Sequence, residues 1–122
     1  MDAAVTQRIL IILNDPPYGT ERSYNGLRLT NALGKGEAAE VRVFLMADAV
    51  ACAKQGQITP NGYYNLERMV KLATKQGTVF SACGTCLDAR GMAEEQLAEG
   101  VHRSSMDELS EWTLWAGKVI VF

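Results

Sequence analysis

Ile9-Leu10-Ile11-Ile12-Leu13, followed at once by Asn14-Asp15-Pro16-Pro17-Tyr18-Gly19-Thr20, decides the fold. Five apolar residues in a row, three of them β-branched, leave no side for water, so this strand is buried on both faces. Strands of that kind belong in the middle of a parallel sheet. The prolines then stop it, because proline lacks the N–H that a sheet needs and restricts the residue before it. A parallel neighbour requires a crossover, and the next residues supply a helix. Thr20 is placed to cap it over residues 21–33, with Tyr24, Leu27 and Asn31 on one side, and Gly34 and Gly36 end it.

The same alternation runs on to the end of the chain. Val41-Arg42-Val43-Phe44-Leu45-Met46 reads as a second strand, and Asp48 is placed to cap a short apolar helix over residues 49–54. Residues 56–62, with Pro60, Asn61 and two glycines, read as a loop. Leu66, Met69, Val70 and Ala73 follow the spacing of an amphipathic helix that ends at Gly77. Thr78-Val79-Phe80-Ser81-Ala82 is a third strand, and residues 83–90 lead from it into a helix expected to run through Glu94 and Leu97 to Gly100. Val101 begins a short fourth strand. Ser105 with Glu108 makes a capping box for a helix whose inner face is Leu109, Trp112, Thr113 and Ala116, with Trp115 beside it. Lys118-Val119-Ile120-Val121-Phe122 is the fifth strand. Strands and helices in this order build βαβ units around a mostly parallel sheet, in one domain spanning residues 1–122.

Composition narrows the function. With 48% hydrophobic and 21% charged residues the chain has the proportions of a globular protein. Twelve basic residues against fourteen acidic ones, a formal charge of -2, give no excess for gripping phosphates, so no nucleic-acid partner is expected. No apolar run is long enough to span a bilayer, and Met1-Asp2-Ala3-Ala4-Val5-Thr6-Gln7 has no basic n-region, so the expected setting is the cytoplasm, away from membranes. Three cysteines, an odd number, do not make a disulfide framework.

Two of those cysteines mark the site. In open α/β sheets ligands bind beyond the carboxyl ends of the strands, and Ala82-Cys83-Gly84-Thr85-Cys86-Leu87-Asp88-Ala89-Arg90-Gly91 leaves such an end. A cysteine just before a helix faces unpaired N–H groups and the positive end of the helix dipole, which favour the nucleophilic thiolate. Gly84 lets the backbone turn and keeps one side of Cys83 uncovered. Arg90 adds positive charge if it folds back to the loop, with Asp88 partly cancelling it. Two buried, inert cysteines remain an alternative. A thioredoxin-like dithiol fits the spacing but lacks a suitably placed proline partner. One C-x-x-C and the lone His102 fall short of the four ligands of a structural zinc site, and a Cys–His hydrolytic pair is weaker still. Pro17-Tyr18-Gly19 matches no phosphate-binding loop and reads as a rigid turn. Cys52, in a short Ala-rich helix, reads as structural.

These residues resemble the DsrE/DsrF-like sulfur-relay family, most of all its YchN-type branch. The likeness is carried by Asn14 with Pro17-Tyr18-Gly19, Leu27-Arg28-Leu29, Phe44-Leu45-Met46 with Asp48-Ala49-Val50, and Gly62-Tyr63. It continues through Cys83, Thr85-Cys86, Asp88, Arg90-Gly91, Gly100-Val101, Trp112-Thr113-Leu114 and Lys118-Val119. The resemblance implies a flavodoxin-like, three-layer α/β/α domain with five mostly parallel strands. It also implies a homo-oligomer, a hexamer in the YchN branch, with sulfur donor and acceptor proteins as partners and no metal or organic cofactor. In relay members a cysteine after the third strand carries sulfane sulfur as a persulfide, and Cys83 holds that position. Cys86 is typical of the YchN branch, and Cys52 inherits no role.

Both lines lead to a sulfurtransferase-like carrier rather than a turnover enzyme. In this reading Cys83 takes the sulfur and Cys86 releases it or steadies the loaded state. Gly84, Thr85, Asp48, Asp88 and Arg90 order the loop, and Asn14 and Tyr18 line the approach. A thiol-disulfide redox or sensor protein using the same pair, and a non-catalytic homo-oligomeric binding module, are the alternatives.

Overall fold

Side-chain alternation along the strands sorts the core into two faces, and the computed structural model, which describes residues 6–122, shows what covers each. Residues 1–5, on which most of the reading of a missing leader rests, lie outside it. The strands are β1 (Gln7–Leu13), β2 (Ala39–Leu45), β3 (Val79–Cys83), β4 (Val101–Ser104) and β5 (Lys118–Val121). All five are parallel, in the order β4-β3-β2-β1-β5. β1 is therefore flanked by two strands, as its unbroken apolar run requires, and Leu10, Ile11 and Leu13 are fully buried.

Each step from β1 to β4 moves the same way across the sheet, and right-handed crossovers then place their helices on one face. These are α1 (Arg22–Leu33), α2 (Leu66–Lys75) and α3 (Gly84–Ala89), with a 3-10 segment at Ala47–Ala53. The chain reverses after β4, so α4 (Met106–Trp115) stands alone on the other face. Its Trp112 packs edge-on against Phe44 with centroids 5.9 Å apart. Its Trp115 lies under the Arg42 guanidinium, 3.9 Å from the ring centroid. This is the three-layer α/β arrangement that the family resemblance implies. No helix among the described residues is long and apolar enough to cross a membrane.

Four local expectations are corrected. Thr20 does not cap α1: its hydroxyl donates to Asp15 instead, and Glu21 takes the cap position without a side-chain bond. Asp48 likewise sits inside the first turn of the 3-10 segment, behind Met46, because its carboxylate is drawn to Arg90. The helix after β3 stops at Ala89 rather than reaching Gly100. Gly91 adopts a φ of 62° there, and the N–H groups of Gly91 and Met92 close back on Asp88 and Leu87. That is a glycine stop which the Arg90-Gly91 pair spells out. Thr113 is exposed, since α4 turns its Leu109 and Trp112 inward and Thr113 bonds only to its own helix.

Half of the expected capping box forms. Ser105 accepts from the Glu108 N–H, but the Glu108 carboxylate turns to the sheet, where the hydroxyls of Ser81 and Ser104 both donate to it at 2.6 Å. One carboxylate thus pins α4 to β3 and β4. The Ser104 bond above all, then the Ser81 bond, holds Glu108 below the usual carboxylate range. Its stabilising contribution is therefore complete above its ordinary value of 4.5 and fades as the pH falls through the lowered one. Glu108→Gln should lose about 1 kcal/mol in urea unfolding at neutral pH, and that deficit should vanish in acid. A deficit that does not change with pH would contradict the assignment.

Candidate functional site

Cys83 ends β3 and opens α3, so the strand fixes its position and the helix start fixes its surroundings. The parallel register sets it directly beside Ser104, the last residue of β4. Gly84 follows, where a Cβ would come within 2.8 Å of the Ser104 carbonyl and 3.0 Å of the Arg103 guanidinium. Only glycine allows the two strand ends to come this close. Between them opens a cavity of about 350 Å³, lined by Cys83, Gly84, Thr85, Arg103, Ser104, Ser105 and Met106. Cys83 lies at its floor, 6% exposed.

The two thiols are polarised in opposite directions. Burial pushes Cys83 upward, but the Thr85 hydroxyl, the Cys86 thiol and the N–H groups of Cys86 and Thr85 outweigh it, leaving the thiol below its ordinary range. The Thr85 hydroxyl lies 3.2 Å from the Cys83 sulfur. Cys86 shifts the other way, through burial first and then through its proton being shared with Cys83. Its sulfur also accepts the Ala47 N–H at 3.2 Å. Ala47 adopts a φ of 50°, unlike any other described residue except glycines, and this bond helps hold it there. The pair is thus asymmetric, with Cys83 the more acidic thiol and Cys86 the less acidic one. Both are free, as is Cys52.

Two arginine–carboxylate pairs frame the loop, with partners other than those the sequence indicates. Arg90 does fold back, donating to the Cys86 carbonyl at 3.1 Å, but Asp48 rather than Asp88 balances it, at 2.9 Å. Asp88 instead grips Arg103 through two bonds of 2.7 and 2.8 Å. Gly84, Thr85, Asp48, Asp88 and Arg90 are therefore brought together around the cysteines. Asn14 and Tyr18 are not. The Asn14 amide donates to the Phe122 carbonyl, closing the seam between β1 and β5. The Tyr18 hydroxyl donates to Gln57 and accepts the Leu66 N–H, with its ring stacked towards Tyr64. Neither bonds to the cysteine loop. His102 lies 3.9 Å from Glu94, away from both thiols.

Sequence reasoning passed over Arg103, Ser104, Ser105, Met106 and Ala47. The signal for the first four was the capping box itself: it marks where α4 begins, hence where β4 ends, and strand ends carry sites. Ala47 gave no signal, since nothing in an alanine announces a positive φ. Cys52 is fully buried, 3.7 Å from the Asp15 carbonyl, and burial pushes its thiol up to about 12.

A family model described as the DsrE/DsrF-like family matches residues 7–122. Protein YchN of Escherichia coli K12 is 41% identical over 117 residues, covering 95% of this chain and 99% of that protein. An uncharacterized protein of Methanopyrus kandleri, MK0008, is 38% identical over 93% of each chain. The crystal structure of the E. coli ychN protein superimposes with a TM-score of 0.89 over 96% of this chain and all of that one. MTH1491 of Methanobacterium thermoautotrophicum, at 21% identity and a TM-score of 0.73, shares the fold.

The thiol assignments make a direct prediction. In native protein, iodoacetamide should modify Cys83 first, with a rate whose pH midpoint lies below the ordinary thiol value of 9.0. Thr85→Val should move that midpoint upward, and Cys52 should stay unmodified until the protein unfolds. Faster modification of Cys86 than of Cys83 would reverse the assignment.

Proposed function

The chain belongs to the DsrE/DsrF-like family, and within it we propose that this protein is a cytoplasmic sulfur carrier, a sulfurtransferase-like protein that holds sulfane sulfur as a persulfide on Cys83. The observation that carries this reading is the polarised pair. A thiol held below its ordinary range lies at the floor of an open cavity, with a less acidic thiol three residues on. Thiolate, not thiol, is the attacking species. The Cys83 thiolate attacks the outer sulfur of a donor persulfide, the donor S–S bond breaks, and the donor leaves as its own thiolate. An acceptor thiolate then takes the outer sulfur by the reverse step, regenerating the Cys83 thiolate. Cys86 supports a second fate: its sulfur attacks the inner sulfur, its proton passes to the departing outer sulfur, and a Cys83–Cys86 disulfide forms with release of hydrogen sulfide. Sulfur and charge balance in each step, and none needs a metal.

The carrier works as a homo-oligomer. α4 alone cannot cover a five-stranded sheet; the β5 edge leaves Val121 62% and Val119 42% exposed, and α4 leaves Leu114 85% exposed. An unpaired edge strand with bare aliphatic residues favours burial against another copy. The resemblance to the YchN-type branch implies six copies, with protein donors and acceptors of sulfur as partners.

Incubated with an excess of an inorganic polysulfide, the wild type should gain one sulfur by intact mass, removable by reductant. Cys83→Ser should gain none, and Cys86→Ser should load and hold its sulfur longer. An unloaded wild type, or equal loading of Cys83→Ser, overturns the reading. Separately, Leu114→Glu combined with Val121→Lys should shift the protein to a smaller species by light scattering, and an unchanged mass would place the interface elsewhere.

A further inference from the structure

The cavity above Cys83 contains one guanidinium whose bonding is half used. Arg103 grips Asp88 end-on, through Nη1 and Nη2. The second fork of a guanidinium is the edge that carries Nε. That edge has no acceptor among the described residues, and it lies against the bare Gly84 backbone, 3.0 Å from where a Cβ would stand. Asp88, together with Glu94, which accepts the Arg103 backbone N–H at 2.6 Å, balances the charge at long range, but the Nε edge bonds to neither, and a carboxylate is the group that matches a planar fork. The rest of the lining suits a small polar molecule: the hydroxyls of Thr85, Ser104 and Ser105, with Met106, 63% exposed, among the lining residues.

Size points the same way. A volume of about 350 Å³ far exceeds one sulfur atom and falls in the range of small-molecule sites. With Cys83 only 6% exposed, a slim thiol reaches it more readily than a cysteine on a flat protein surface.

We propose that the cavity admits a low-molecular-weight thiol bearing a carboxylate, which docks on the free edge of Arg103 while its sulfur takes the outer sulfur from Cys83. This deepens the carrier reading and rests on it for the transfer step. The incoming thiolate forms a bond to the outer sulfur of the Cys83 persulfide, and the Cys83 S–S bond breaks. Its electron pair returns to Cys83 as thiolate, and the small thiol leaves as a persulfide. The proton on the outer sulfur travels with it, and no oxidant or reductant enters.

The test uses sulfur-loaded protein and three small thiols of similar length: 3-mercaptopropionate, 2-mercaptoethanol and cysteamine. Loss of the added sulfur is followed by intact mass, with each rate expressed per thiolate present. In the wild type the carboxylate thiol should unload Cys83 about fivefold faster than the neutral one, the effect of one charge-assisted contact, and the cationic thiol should be slowest. Arg103→Gln should bring the ratio of carboxylate to neutral thiol to about one, while Arg103→Lys, which keeps the charge but not the fork, retains part of the preference. A second readout needs no persulfide. Iodoacetate, normally slower than iodoacetamide towards thiols, should match or overtake it at Cys83 in the wild type and fall behind in Arg103→Gln. A wild-type ratio near one, or a preference that survives Arg103→Gln, overturns the proposal. If Cys83 never loads sulfur but iodoacetate keeps its Arg103-dependent advantage, the carrier reading falls and the carboxylate site stands.

Discussion

Everything at the site depends on how closely β3 and β4 end against each other. Parallel pairing sets Cys83 beside Ser104, and the chain can turn into α3 at that point only because residue 84 has no side chain. An alanine there would meet a backbone carbonyl at 2.8 Å, and a strand end cannot yield as a flexible side chain can. From this one approach follow the cavity, the placement of Arg103 against the loop, and the exposure of the Cys83 sulfur to the first N–H groups of α3. Glu108 secures it from the other face of the sheet, binding a hydroxyl from each of the two strands.

The charge around the loop is arranged in closed pairs. Arg90 with Asp48, and Arg103 with Asp88, each bring a cation close to a cysteine and balance it locally. Such exposed pairs contribute little to stability. Their effect here is geometric, since they tie the loop to the 3-10 segment on one side and to β4 on the other. What separates the two thiols is therefore mainly hydrogen bonding. Thr85 and the helix start favour charge on Cys83, while burial first, and then the bond to Cys83, disfavour it on Cys86.

Much of the site was legible because its residues are contiguous. The C-x-x-C, Gly84, Thr85 and the following Asp and Arg stand within one loop, and the chemistry of a helix start can be read without knowing the fold. Partners across the sheet were not. Asp88 and Arg90 lie two residues apart, so spacing alone paired them with each other. The tertiary structure gives each a different partner, 15 and 42 positions away. Asn14 and Tyr18 leave the same end of the sheet as Cys83, yet β2 stands between β1 and β3 and sends them to other seams. The helix expected to reach Gly100 was over-extended because its glycine stop was weighed below the helix-forming residues beyond it.

By itself the sequence determined the parallel α/β class, through a first strand with no polar face, and it singled out the loop after β3 as the candidate site, through two cysteines at a helix start. Both follow from patterns of neighbouring residues, which fix local conformation and burial. Only the tertiary structure decided which thiol is the more acidic, which carboxylate meets which arginine, and that Arg103, Ser104 and Ser105 share the cavity with Cys83. Those outcomes depend on strand order and register, and these are set by long-range packing, which no single stretch of the chain encodes.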